Sequence, residues 1–202
     1  ADYVAMTAAF DAMAEVAAIE LNLSCPNVEG GTQFSTDVAA LELVVQLCRA
    51  VTNKPLWVKL SPNVASIVPF AQAAEASGAD ALTVANTLIG MLVNWRTRRP
   101  VLANGTGGMS GPAVRPLVLR LVWETARAVT IPVIASGGAS NAEDVLDYVV
   151  AGATAVQVGT AVFRRPGVIS EIATDLRRLL QEENTCLQEL RASLVWPFPL
   201  SC

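Results

Sequence analysis

Gly78-Ala-Asp-Ala-Leu-Thr-Val84 is echoed by Gly152-Ala-Thr-Ala-Val-Gln-Val158, a shared pattern of Gly-Ala-x-Ala-apolar-x-Val. A glycine after a helical pattern reads as a C-terminal cap, and the apolar run after it reads as a short buried strand. Both copies therefore mark helix-to-strand joints. Working outward, strands are expected at 18–24, 56–60, 81–85, 132–136 and 155–158, with helices over 36–51, from Ser66 to Gly78, over 112–129, from Ser140 to Gly152 and over 166–180. Met6, Phe10, Met13 and Ala17 are spaced for one helical face leading into the first strand. The helix over 36–51 turns Leu41, Val44, Val45 and Cys48 inward, which makes Cys48 a core residue. Strands alternating with helices imply a parallel α/β sheet with right-handed crossovers, either doubly wound or a (β/α)8 barrel. Periodicity leaves that choice open.

Composition narrows the function classes. The 202 residues are 52% hydrophobic and 16% charged, with a mean hydropathy of +0.44, which is globular rather than disordered. A net charge of -4 gives no footprint for nucleic acid or an anionic membrane surface. The one basic cluster, Arg96, Arg98 and Arg99, reads as a solvated loop. The apolar run from Tyr148 to Phe163 is shorter than the roughly 20 residues a bilayer needs. Asp2, Asp11 and Glu15 interrupt the alanine-rich start, unlike a signal peptide, so a cytoplasmic location is expected. With no histidine and four unpaired-looking cysteines, zinc sites and His-based triads are excluded.

Chemistry is suggested where the first strand ends, in Ile19-Glu-Leu-Asn-Leu-Ser-Cys-Pro-Asn27. Leu21 and Leu23 alternate with Asn22 and Ser24, so apolar and polar side chains face opposite ways. Pro26 stops the ladder and leaves Cys25 where strand becomes loop, the usual position of a catalytic group in parallel α/β proteins. Cys25 is either a buried structural thiol or a reactive one flanked by the amides of Asn22 and Asn27. A second strand end, Asn86-Thr87, is also polar, and the long connection 88–111 after it reads as a lid or binding loop.

Gly137-Gly138 precedes Ser140-Asn-Ala-Glu143, a capping box that opens a helix, and Gly159-Thr160 follows the last strand. Each pair makes either a tight turn or half of a phosphate cradle, where backbone amides and a helix N-terminus meet an anion. Gly105-Thr-Gly-Gly-Met-Ser-Gly111 is no dinucleotide fingerprint, since Ser110 stands at the third glycine and a polar loop precedes it. It reads as a flexible loop whose backbone packs against a planar or anionic ligand. Lys59, between Val58 and Leu60, needs a partner: an internal ion pair with Glu20, or a bound anion or electron-rich cofactor.

These segments, taken with Trp57-Val-Lys-Leu-Ser-Pro-Asn63 and Ala103-Asn-Gly-Thr-Gly-Gly-Met-Ser-Gly-Pro112, resemble class 1 dihydroorotate dehydrogenase from about residue 18 to 180. They look most like its NAD-linked subclass, the catalytic chain of a two-subunit enzyme. The resemblance implies an FMN-containing TIM (β/α)8 barrel that oxidises dihydroorotate to orotate in pyrimidine biosynthesis. In that family's terms Cys25 matches the base that removes the C5 proton while hydride passes from C6 to flavin N5, a task within reach of a thiol of ordinary pKa about 8.5. Asn22 matches a residue touching flavin and substrate. Asn27, Asn86 and Thr87 match substrate contacts. Lys59 matches the cation at the flavin N1/O2 edge, Ala85 and Gly111 match backbone contacts to FMN, and Gly137, Gly138, Gly159 and Thr160 match its phosphate site. The implied partners are a second copy, in a homodimer, and an electron-transfer subunit holding FAD and an iron-sulfur cluster.

The five strands correspond to the last five βα units of such a barrel, with 181–202 as a C-terminal helix and tail of a single domain spanning 1–202. The first three units have no counterpart, and the opening at Ala1 without a methionine points to a piece of a longer product. Ser35 stands where the family has a glycine, and the tail from Trp196 matches nothing and is expected to be disordered or to cover an open sheet edge. Two other readings are a truncated remnant without catalysis, acting as an interaction module, and a different phosphate-binding barrel enzyme.

Overall fold

The two Gly-Ala-x-Ala joints fold alike. In the computed structural model, which describes residues 2–24 and 34–196, Gly78 and Gly152 take φ of +96° and +119°. Gly78 N–H donates to the Glu75 carbonyl and Ala79 N–H to that of Ala74; Gly152 and Ala153 donate in the same way to Val149 and Tyr148. This is a Schellman cap, which requires a left-handed residue that glycine supplies without a Cβ clash. Two residues beyond each glycine, Asp80 N–H bonds the Leu56 carbonyl and Thr154 N–H that of Val133. Each corner thus delivers the chain directly onto a neighbouring strand.

In chain order the elements are α1 (Asp2–Asp11), β1 (Ile19–Asn22), α2 (Val38–Arg49), β2 (Leu56–Lys59), α3 (Val68–Ala76), β3 (Ala81–Val84), β4 (Leu88–Gly90), β5 (Val93–Asn94), β6 (Arg99–Pro100) and β7 (Gly107–Met109). A single 3-10 turn (Pro112–Val114) then leads to α4 (Arg115–Ala126), β8 (Val133–Ser136), α5 (Ala142–Val150), β9 (Ala155–Gln157), α6 (Thr160–Arg164), α7 (Val168–Glu182) and α8 (Leu187–Leu190). One five-stranded sheet runs β1-β2-β3-β8-β9, with every pairing parallel. Its register sets Asn22 beside Lys59 and Lys59 beside Thr83.

The two faces of the sheet differ sharply. Ile19, Leu21, Leu56, Val58, Leu82, Val84 and Ala135 are buried against the outer helices. There α2 contributes Leu41, Val44, Val45 and Cys48, all buried as the spacing predicts, each large apolar side chain worth about 1.5–3 kcal/mol. Asp37 starts α2 by accepting the amides of Ala39 and Ala40. The concave face carries polar groups. Glu20 on β1 accepts from Thr83 Oγ1 on β3 at 2.6 Å and from Gln157 Nε2 on β9 at 3.0 Å. These are the first, third and fifth strands of the sheet, and side chains from alternate strands meeting in one layer are the signature of a barrel interior. The sheet curls so far that its first and last strands touch through side chains.

Some expectations hold and others need correction. α1 ends at Asp11, and its inward side is Tyr3, Thr7 and Phe10, whereas Met6 and Met13 are exposed. An alanine-rich helix has too weak an apolar stripe to fix its own facing, so docking on its neighbours decides it. The connection 88–111 is a two-tiered antiparallel arm: β4 pairs β7 as its stem, and β5 pairs β6 beyond. Arg96, Arg98 and Arg99 are exposed at its far hairpin, with Arg96 over the Trp95 ring. The cap of α5 is one residue later than expected: Asn141 accepts the Asp144 amide, and Asp144 reaches back to Ser140. Of the tail from Trp196, only Trp196 lies among the described residues. Ala192 and Leu194 bond the carbonyls of Val149 and Val150, and Trp196 stacks on Trp123 of α4 at 4.9 Å. Among the described residues no helix is long and apolar enough to cross a membrane.

Candidate active site

A cavity of about 590 Å³ opens at the C-terminal ends of β2, β3, β8 and β9, within the range of small-molecule sites. From β2 and β3 come Lys59, Ala85, Asn86 and Thr87; from β8 and β9 come Gly137, Gly138, Gly159 and Thr160; Gly111 closes the side between them. Nine of the sequence-derived candidates therefore share one cavity wall. Asn22 joins them through a hydrogen bond, since Asn86 Nδ2 lies 3.3 Å from Asn22 Oδ1. Cys25 and Asn27 lie outside the described residues.

Strand ends place these groups because the parallel sheet delivers every β-to-α turn to the same rim. At the rim of β1, Ser24 Oγ donates to Asn22 Oδ1 and accepts from Asn86 Nδ2, both at 2.6 Å. Ser24 is buried and ties the first strand to the third. It is a site residue that sequence reasoning passed over, although its alternation with Asn22 was the available signal. Asn63 is another: its Nδ2 donates to the Thr87 carbonyl at 3.1 Å while its Oδ1 accepts from Ile89 N–H at 2.9 Å. Asn63 thereby fixes the root of the arm beside the cavity.

Lys59 is only half-buried, because its side of the strand faces the concave surface and not the helices. Its Nζ lies 3.9 Å from Glu20 Oε1, the internal partner considered from sequence. The other carboxylate oxygen is taken by Thr83 and Gln157. Lys59 thus presents a cation on the cavity floor with Glu20 held in place behind it.

The glycines form a cradle with strict steric limits. A Cβ on Gly137 would stand 2.9 Å from Val118 Cγ2, and one on Gly138 would stand 2.9 Å from both Arg115 Cβ and the Gly111 carbonyl oxygen. Both residues, and Gly111, take positive φ. A Cβ on Gly159 would instead project into open space, so that backbone is bare toward the cavity. Thr160 Oγ1 donates to Ser110 Oγ at 2.8 Å, joining the loop after β9 to the arm. Exposed glycine backbone at one side, and amides, a hydroxyl and an ammonium at the other, suit a long ligand with an anionic end and a polar ring. FMN has that form, and the cavity volume and bare glycine backbone fit it.

Comparison with known proteins supports the resemblance and carries it to the start of the chain. The family model described as dihydroorotate dehydrogenase matches residues 1–180. A Trichlorobacter lovleyi protein named dihydroorotate dehydrogenase B (NAD(+)), catalytic subunit, is 55% identical over 182 residues, covering 90% of this chain and 60% of that protein. The Geobacter sulfurreducens protein of the same name is 52% identical with the same coverage. The chain thus spans about 60% of the length of these curated relatives. A crystal structure of the Eimeria tenella enzyme in complex with ferulenol superposes with a TM-score of 0.72 at 23% identity, over 88% of this chain and 54% of that one. At that identity the match speaks for the fold alone.

Proposed function

The chain belongs to the dihydroorotate dehydrogenase family, and from that premise we propose that it carries the flavin and pyrimidine side of a site that oxidises dihydroorotate to orotate in UMP biosynthesis. The observation that carries this reading is the single cavity joining a bare glycine cradle to Lys59, Asn86 and Thr87, with Asn22 bonded to Asn86. Gly137, Gly138, Gly159 and Thr160 would hold the phosphate of FMN, Ala85 and Gly111 its ring through backbone, and Lys59 its electron-rich edge. FMN supplies hydride acceptance from C6 of the substrate. Cys25 would remove the C5 proton as thiolate, the basic form of a cysteine. Asn22, Asn27, Asn86 and Thr87 orient the pyrimidine by amide and hydroxyl bonds to its carbonyl and N–H groups.

The five parallel βα units correspond in this reading to the last five of a (β/α)8 barrel, in one domain. An exposed surface supports the homodimer in this reading. The arm exposes Ile89, Met91, Leu92, Val93, Trp95 and Val101, an apolar and aromatic patch of the kind that protein interfaces bury. It is the surface on which a second copy docks in a homodimer. In this reading a separate subunit holding FAD and an iron-sulfur cluster would carry the electrons to NAD, in the cytoplasm.

The test is the visible spectrum of the purified 202-residue chain with FMN, followed by anaerobic dihydroorotate. Bound flavin that bleaches on addition of substrate, more slowly in Cys25→Ser, supports the assignment. Absence of flavin binding overturns it for this chain and favours the reading as a non-catalytic remnant.

A further inference from the structure

The loop that carries Gly137 and Gly138 is gripped from behind by a residue outside the cavity wall. Tyr148 of α5 is fully buried, and its hydroxyl donates to the Gly137 carbonyl at 2.5 Å. Burial pushes its phenol well above the ordinary range, so it remains a donor at any working pH. In a trans peptide the carbonyl and the following N–H point in opposite directions. A Gly137 carbonyl turned back toward α5 therefore turns the Gly138 amide toward the cavity. Nearby donors are already committed: Asp144 takes Ser140 N–H and Oγ, and Asn141 takes Asp144 N–H. Among the described residues no acceptor takes the Gly138 amide.

We propose that Tyr148 is a positioning residue for the anionic end of the ligand, its hydroxyl holding the Gly137–Gly138 peptide in the one orientation that presents an amide to a phosphoryl group. This rests on the reading of the cavity as the FMN site. The effect is specific to phosphate, since the bond orients one donor and touches neither the ring nor the sugar.

The test compares FMN with riboflavin, which lacks the phosphate, by flavin fluorescence quenching on the 202-residue chain. Tyr148→Phe keeps the ring and removes the donor. It should weaken FMN at least about ten-fold, as expected for losing one bond to a charged group, and leave riboflavin affinity unchanged. Val145→Ala, a buried change on the same helix that removes no hydrogen bond to the loop, should leave the FMN to riboflavin ratio at the wild-type value. Equal losses for both flavins in Tyr148→Phe, or no loss, would overturn the proposal. Should Tyr148→Phe not fold, amide hydrogen exchange of the wild-type chain decides: FMN but not riboflavin must protect Gly138, and equal protection would refute it. A wild-type chain that binds riboflavin and FMN alike refutes the phosphate cradle. One that binds neither refutes the flavin site as a whole.

Discussion

Ser24→Ala tests the polar clasp between the first and third strands. The hydroxyl makes two bonds of 2.6 Å, donating to Asn22 Oδ1 and accepting from Asn86 Nδ2, in a position that is 3% exposed. Alanine removes one oxygen and leaves almost no cavity, so the loss is one of hydrogen bonding. At about 0.5–1.5 kcal/mol net per bond, the variant should be destabilised by about 1–3 kcal/mol. For a chain of this size that lowers the melting midpoint by several degrees, at about 2–4 °C per kcal/mol. The clasp itself is isolated by a double-mutant cycle with Asn86→Ala, read by urea unfolding. Because Asn86 loses its bond to Ser24 in either single variant, the double variant should be about 1 kcal/mol less destabilised than the sum. Additivity within about 0.3 kcal/mol would refute direct coupling of the two strand ends.

Three further perturbations follow from other contacts. In Gly108→Ala the new Cβ would stand 2.2 Å from Thr87 Oγ1, so the arm stem and Thr87 must part. Overpacking of this kind costs about 1–3 kcal/mol, and orotate affinity should fall more than FMN affinity in paired titrations. Glu75 accepts from Thr130 N–H, Thr130 Oγ1 and Ile131 N–H, chiefly the Thr130 hydroxyl bond holding its carboxyl below the ordinary 4.5. Its stabilisation is therefore present above pH 4.5 and lost as pH falls through the lower folded value. Glu75→Gln should cost stability at neutral pH, with the gap to wild type closing in acid on a pH series of urea melts. Leu92→Asp together with Trp95→Ala on the arm should weaken self-association by at least about 30-fold if these are interface anchors worth about 2 kcal/mol. Unchanged sedimentation would exclude the arm as the dimer surface.

What the sequence revealed depended on whether a pattern was local. The Gly-Ala-x-Ala corners are legible because a Schellman cap and the strand after it are written in consecutive residues. The inner face of α2 is legible because its four buried positions recur with the helical period. The arm was not, since strands such as Val93–Asn94 and Arg99–Pro100 are too short to show alternation and are held by pairing across a stem. Nor was the Glu20 to Gln157 bond, between residues 137 apart in the chain, which exists only once the sheet has curled. Lys59 stands out as a charge in a strand: the structure gives it Glu20 as an internal partner and also sets it in the cavity wall. Tyr148 went unremarked because an inward aromatic on a helix gives no hint that its hydroxyl reaches a loop eleven residues back.

The stem of the arm also bears on how this chain tolerates change. Leu88 sits opposite Met109, so the ends of the excursion are pinned together by antiparallel pairing and by Asn63. To the main sheet, the passage from β3 to α4 behaves as a short connection whatever lies beyond the stem. Closing a longer excursion costs only about 0.6 kcal/mol for each doubling of length. Residues 91–106 are therefore a region where insertions, deletions or grafted binding sequences can accumulate without disturbing the folding of the sheet.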